Sequence, residues 1–430
     1  MQGSTLEQLR IEGGVAPGFE SVQQLYEHNM RTLAEKNTQL CVYYNGEKVV
    51  DLWASTIADS DFSADSLVNV FSSGKSLEAI AMASLVDKGL LKYDARVSHY
   101  WPEFGSAGKQ TLTVAELMRH EAGLAAFHTT LDPQDLLADK LKENRIGRII
   151  EGHSQTFRKA AGSKREYHAI TRGWIVNEVF RRVDPAGRTI GEFLREDISE
   201  PLLADVIIGV REAELDRISD VTPLGTGFQF KESLKPKFLR RMEHNIFQIL
   251  GRIIRLMPML RNGTMAGAPT PLKGMSGLVF FNDRTFRMGE TPSANANCSA
   301  RGLAKLAAMM AAGGKWAGTE YLSETAWKSL HDHPVTAAMG PSNTTFTQGG
   351  VAFFSEPPEP STQFENALNT GREGFYGWMG LGGSIFQWHP QYNIGFGYVP
   401  TSLNVLDIVN ERGKAYQAEI LRCIEKSNRP

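Results

Sequence analysis

Chemistry is most readily sought at Ser72-Ser73-Gly74-Lys75, where a hydroxyl and an amine stand three residues apart. If this stretch opens a helix, residues i and i+3 share a face and the amine reaches the hydroxyl. A serine hydroxyl is a poor nucleophile until something takes its proton. A lysine can do so once its pKa falls from ~10.4 toward neutrality. Burial and the positive potential of a helix N-terminus both push it that way. The same helix start offers a backbone N–H to an oxyanion. A second Ser-x-x-Lys, Ser106 to Lys109, lies in a glycine-containing loop instead of heading an apolar helix, and is set aside.

Other chemistries find less support. No Gly-x-Ser-x-Gly elbow exists, which argues against an α/β-hydrolase. His120 is read as structural rather than as a base. Neither His-Glu-x-x-His nor Cys-x-x-Cys occurs, so no metal site is expected. Cys41, Cys298 and Cys423 are far apart and read as core thiols. The formal net charge of −2 gives the chain no electrostatic footprint for nucleic acid. No apolar run reaches the roughly 18 residues of a spanning helix. The start, Met1 to Arg10, lacks the pattern of a signal peptide, so an intracellular, cytoplasmic location is expected.

The elements that must hold Ser72 and Lys75 follow from periodicity. With 430 residues, 42% hydrophobic, the chain can bury a large core as one big domain or two intertwined ones. Residues 20–36 have helical spacing. The apolar runs 40–44 and 49–53 flank Asn45-Gly46, a strong hairpin signal, so the chain is expected to open with a helix and two antiparallel strands. Residues 72–91 read as a long buried helix. Thr113 and Glu116 form a capping-box pattern. Helical patterns recur at 134–150, 171–183, 189–197, 300–312 and 321–331. Residues 349–354, 383–388 and 394–399 read as strands, His389–Asn393 as a turn, and 404–425 as a final helix. One sheet drawn from both ends (1–95 and 281–430) with a helical lobe (96–280) is the expected layout. Residues 235–261 alternate Lys235, Lys237, Arg240, Arg241, Arg252, Arg255 and Arg261 with apolar side chains. This predicts a basic amphipathic helix that packs on the domain, covers a pocket, or makes peripheral contact with an anionic membrane.

Phe71 to Ala81, followed by Leu85-Val86-Asp87-Lys88-Gly89-Leu90-Leu91, resembles the serine β-lactamase and penicillin-binding-protein superfamily, in its class C-like esterase branch. Further matches come in the family's order. They are Trp101-Pro102-Glu103-Phe104, Leu117 to Leu124, Tyr167-His168-Ala169 with Gly173-Trp174, Glu200-Pro201-Leu202, Pro292 to Ala304, and Gly377 to Ser384. The resemblance covers roughly residues 15–425. It implies a mixed α/β fold of the β-lactamase/transpeptidase type, an antiparallel sheet flanked by helices with an inserted, mostly helical lobe. It also implies Ser72 as nucleophile, with Lys75 and Tyr167 as general base and acid. The oxyanion hole would be the N–H groups of Ser72 and Leu381. Trp378, Met379, Gly380 and His168 would line the substrate cleft, and no cofactor would be needed.

Two departures shape the expected substrate. Ala169 stands where the β-lactamases and peptidases of the family carry Asn, and Trp378-Met379 replaces the Lys-Thr of Lys-Thr-Gly. The anchor for a substrate carboxylate is thereby lost, and an aromatic wall suits an apolar ester. A carboxylesterase acting on a small-molecule ester or amide is expected. An acyltransferase, a D-amino-acid peptidase or β-lactamase, and a scaffold or filament-forming relative with little turnover are the alternatives. A homo-oligomer is left open.

Overall fold

The computed structural model describes residues 9–157, 164–251, 254, 268–340, 342–357 and 359–427. Its centre is a six-stranded antiparallel sheet built from both ends of the chain. The strands are β1 (Arg10–Val15), β2 (Asn37–Tyr44), β3 (Glu47–Ser55), β4 (Tyr376–Met379), β5 (Ile385–His389) and β6 (Ile394–Pro400), in the order β1-β3-β2-β6-β5-β4. The two chain ends meet where β2 pairs with β6, Leu40 opposite Tyr398 and Val42 opposite Phe396. The expected hairpin turn is present, Asn45 and Gly46 having φ of 50° and 81°, the positive values a two-residue hairpin needs.

Both faces of this sheet are covered, which explains why β2 and β6 are apolar on both sides. On one face lie helices α1 (Glu20–Thr32) and α5 (Glu411–Ser427). Their Val22, Tyr26, Tyr416 and Ile420 pack with Leu40, Val42 and Phe396. Helix α2 (Lys75–Asp87) is buried from Lys75 to Leu85, as an all-round apolar helix must be. It packs with α3 (Thr171–Val183), and α4 (Ala300–Ala311) lies on β6 and β2 from the second face. Thr113 and Glu116 form the expected capping box ahead of the helix Val114–Met118. Cys41, Cys298 and Cys423 are free, buried thiols. Among the described residues, no helix is long and apolar enough to cross a membrane.

Four expectations need correcting. The chain opens with β1, not a helix; this edge strand carries only Ile11 and Val15 as large apolar residues, so it shows no alternating signal. Residues 349–354 form isolated bridges only, Ala352 to Phe346 and Phe353 to Tyr376. The last helix starts at Glu411 rather than 404, because the Asp407 carboxylate accepts the Glu411 N–H at 2.7 Å and caps it there. The basic helix over 235–261 is not continuous. Lys237–Leu239 is a 3₁₀ turn after Pro236, and residues 240–245 are not helical. A helix begins at 246 behind a reciprocal Asn245–Gln248 cap, each backbone N–H donating to the other's side chain at 2.9 Å. Residues 252, 253 and 255–261 of that expectation lie outside the described residues.

Candidate active site

The Ser72 turn is set up by strain and local capping. Phe71, directly before it, is held at φ 47°, a conformation a bulky residue rarely adopts. The Asn69 side chain holds it there by accepting the Phe71 N–H at 2.7 Å. Phe71–Gly74 then makes one 3₁₀ turn that runs into α2, leaving Ser72 partly exposed at its mouth. Lys75, one turn on, is buried, and its Nζ lies 3.3 Å from the Ser72 Oγ. The same Nζ donates to the carbonyls of Ala169 at 2.7 Å and Ser293 at 3.0 Å. Burial drives the Lys75 pKa well below the usual ammonium range; Glu78 opposes this and Arg172 adds to it.

Tyr167 joins the same cluster. Its ring centroid is 4.8 Å from the Lys75 Nζ. Its hydroxyl accepts the Trp378 indole N–H at 2.9 Å and shares a hydrogen bond with the Ser72 side chain. Burial raises the Tyr167 pKa to about 12, and the bonds to Ser72 and Trp378 only partly offset it. At neutral pH Tyr167 is therefore an un-ionised phenol.

Strand β4 flanks this group. The Trp378 N–H donates to Ser76 Oγ at 3.0 Å, fixing β4 against α2. Past β4, the turn 380–384 is pinned to the Ser72 turn. Ser384 Oγ donates to the Val70 carbonyl at 2.6 Å and lies 3.1 Å from Ser73 Oγ. Asn410 Nδ2 donates to the Gly380 and Ser384 carbonyls, each at 3.0 Å, and Arg412 holds the Gly382 carbonyl. A Cβ on residue 380 would overlap the Val70 carbonyl and Ser384 Oγ, so only glycine allows this approach. Among the described residues, neither the Ser72 nor the Leu381 backbone N–H has a hydrogen-bond partner.

Two expected cleft residues face elsewhere. His168 has no exposed surface. Its Nδ1 donates to the Glu166 carbonyl at 2.6 Å and its Nε2 accepts the Leu124 N–H at 3.1 Å, so it ties two loops together behind the cluster. Met379 alternates away from Trp378 along β4 and sits in the core under α5, its sulfur 2.9 Å from an Arg372 nitrogen. His120 is buried and accepts the His168 N–H at Nδ1, at 3.1 Å. Lys109, of the second Ser-x-x-Lys, spends its ammonium on the carbonyls of Ser106, Glu151 and His153.

A buried ionic group beneath Lys75 carries no spacing that marks it in the sequence. Arg172 Nε donates to Glu78 at 2.8 Å, both fully buried. Arg172 also donates to the Lys75 carbonyl at 3.0 Å and the Met118 carbonyl at 2.9 Å. The Ser293 hydroxyl donates to Glu78, and the Ser293 carbonyl receives the Lys75 Nζ. Two cavities adjoin the cluster. One, of about 210 Å³, is walled by Phe127, Ala169, Ile170, Trp174 and Pro269. The other, of about 220 Å³, lies beyond Trp378 against Phe354, Asn343 and Glu365. Elsewhere, His244, Asp407 and Glu411 bring ligand atoms within 4.8 Å of one another, but Asp407 there caps α5 and His244 pairs with Glu411 at 3.3 Å.

Comparison with known proteins agrees with this architecture. The family model described as Beta-lactamase matches residues 22–418. The chain is 28% identical over 410 residues to a protein of Mycobacterium tuberculosis (strain ATCC 25618 / H37Rv) named Esterase/beta-lactamase LipL, covering 92% of this chain and 83% of that one. A penicillin-binding-protein homolog from Caulobacter crescentus superposes with a TM-score of 0.72 at 28% identity, over 95% of this chain and all of the other. A family VIII carboxylesterase superposes with a TM-score of 0.71 at 25% identity, again over 95% of this chain and 100% of its own. With its strained serine turn, buried lysine and two-ended antiparallel sheet, the chain belongs to the β-lactamase family and is a serine hydrolase of that fold.

Proposed function

We propose that this protein is a carboxylesterase that works through an acyl-enzyme on Ser72. The observation that carries the reading is the Lys75 amine, buried and 3.3 Å from the Ser72 Oγ, with two carbonyls already taking its N–H groups. A neutral amine donates two N–H bonds, to Ala169 and Ser293, and turns its lone pair to the Ser72 hydroxyl. Lys75 is the general base, since its pKa is lowered while that of Tyr167 is raised. Tyr167, as a phenol, passes its proton to the leaving alkoxide and takes back from the Lys75 ammonium the proton that came from Ser72, so both groups regain their starting states. The tetrahedral oxyanion is held by the Ser72 and Leu381 N–H groups, each such donor contributing a few kcal/mol. Water then hydrolyses the acyl-enzyme.

Ester rather than β-lactam or peptide turnover is favoured by the wall. Trp378 offers an indole where a cation would bind a carboxylate, and Ala169 opens onto an apolar cavity of about 210 Å³ suited to a short acyl or alkoxy group. Relatives named as esterase/beta-lactamase and carboxylesterase support the same reading. The test is hydrolysis of short-chain p-nitrophenyl esters by wild type and Ser72→Ala, with mass spectrometry after an organophosphonate probe. A single adduct on Ser72 and loss of turnover in Ser72→Ala are expected. Turnover surviving in that variant refutes the assignment.

A further inference from the structure

More than half of the large apolar side chains that the described surface exposes fall in one stretch, residues 230–254. Phe230 and Leu234 point out from the end of the helix Thr226–Ser233. Phe238 and Leu239, on the next turn, are exposed, Phe238 at 85%. Phe247, at 79%, and Ile254 lie on one outward face of the helix that starts at 246. A soluble surface does not ordinarily collect aromatic and aliphatic groups so densely. These are not the anchoring groups, because Met242 and Ile249 point inward and hold the stretch to the body.

The same stretch is strongly basic. It carries six Lys and Arg against two Glu, in a chain whose net charge is −2. Lys231 and Lys237 are exposed beside Phe230 and Phe238. Apolar side chains flanked by lysines on an otherwise acidic protein match an anionic lipid surface: the rings enter the acyl boundary while the ammonium groups stay among the headgroups. We infer that residues 230–251, with Ile254, form an interfacial patch that docks on an anionic membrane surface.

The patch is joined to the rim of the cleft. Its approach strand, Thr222–Pro223, pairs with Ser402–Leu403, and the Leu224 N–H donates to the Leu403 carbonyl at 3.0 Å. The Ala34 N–H donates to the Arg241 carbonyl at 2.9 Å, and His244 meets Glu411. The segment 402–412 that it borders also carries Asn410 and Arg412, which pin the turn containing the exposed Leu381. A docked patch therefore brings that rim toward the bilayer, though the docking itself does not depend on the acyl-transfer reading.

The test is co-sedimentation of the full-length protein with vesicles of phosphatidylcholine alone and of phosphatidylcholine mixed with phosphatidylglycerol. Binding to the anionic vesicles, weakened by salt and absent on the neutral ones, is expected. A Lys231→Glu, Lys237→Glu pair is expected to bind about tenfold more weakly or worse. A Phe238→Ser, Phe247→Ser pair is expected to lose binding, with circular dichroism and turnover of a water-soluble ester unchanged. Equal binding to both vesicle types, or undiminished binding by either variant, overturns the proposal. So does sedimentation showing a protein dimer that the Phe substitutions dissolve while no vesicles are bound.

Discussion

The Trp378 indole donates its N–H to the Tyr167 hydroxyl at 2.9 Å. This bond ties the sheet to the segment that leads into α3, because Trp378 sits on β4 and Tyr167 just before α3. It gives the phenol a neutral donor where a lysine would give a charge. The bond orients Tyr167 and offsets burial only in part, so the phenol stays un-ionised and, in the proposed reaction, has a proton to deliver.

Removing the indole donor should therefore impair proton delivery more than folding. Trp378→Phe keeps an aromatic wall but loses the bond, and kcat/KM for a short ester should fall about tenfold, the effect of one hydrogen bond of ~1–1.5 kcal/mol. Trp378→Lys should shift preference toward esters that carry a carboxylate, measured as the ratio of kcat/KM for charged and neutral substrates. An unchanged ratio contradicts the place given to Trp378 in the substrate wall.

The base should announce itself in the pH profile. If Lys75 works as the neutral amine, as proposed, activity should be lost as pH falls through its depressed pKa and regained as pH rises. The kcat/KM profile should show a rising limb well below the ordinary lysine range, with no contribution from a buried histidine. Lys75→Ala should lower kcat by about 10²–10⁴-fold while leaving the Ser72 turn intact. A profile that is flat from acid to alkaline pH argues for another base.

The meeting of Ser72 and Lys75 is legible because its spacing is local. Ser72 and Lys75 meet through a single helical turn, and the Asn45-Gly46 hairpin follows from backbone preference alone. What the sequence left hidden is long-range. Glu78 and Arg172 are 94 residues apart, and no local spacing ties the two buried charges together. His168 and Met379, expected in the cleft, face elsewhere for a related reason. A motif names neighbours along the chain, whereas strand alternation and loop packing decide which of them face the cleft. The basic stretch 235–261 has helical periodicity throughout, yet Pro236 and the Asn245–Gln248 cap divide it locally.

The Glu78–Arg172 pair should be costly to break and revealing when it is. Glu78→Ala leaves the Arg172 guanidinium buried without its carboxylate and frees the Ser293 hydroxyl, so a loss of about 3–5 kcal/mol is expected in urea unfolding. Combining Glu78→Ala with Arg172→Met should recover part of that stability, because no uncompensated charge remains. Turnover should stay impaired in the double variant, since the Lys75 carbonyl loses its Arg172 donor and the Ser293 hydroxyl loses its Glu78 acceptor. Full recovery of kcat would reduce the pair to a structural tie.

His168 should set part of the acid limit of stability. Its pKa is lowered to about 3, chiefly by burial, whereas an unfolded histidine titrates near ~6.5. A proton on Nε2 would also turn that acceptor into a donor facing the Leu124 N–H. Between these two pKa values the unfolded chain takes up a proton that the folded chain refuses. Stability is thus whole above ~6.5 and falls steadily as pH drops toward 3. At pH 5 this one group should cost about 2 kcal/mol. His168→Gln can still donate to Glu166 and accept from Leu124, but it does not titrate. Urea unfolding of both proteins between pH 7 and pH 5 isolates the effect, with the wild type losing about 2 kcal/mol more than the variant. Parallel curves would mean that the folded imidazole takes up its proton over the same pH range as the unfolded one, and that the two loops are tied by something other than its acceptor nitrogen.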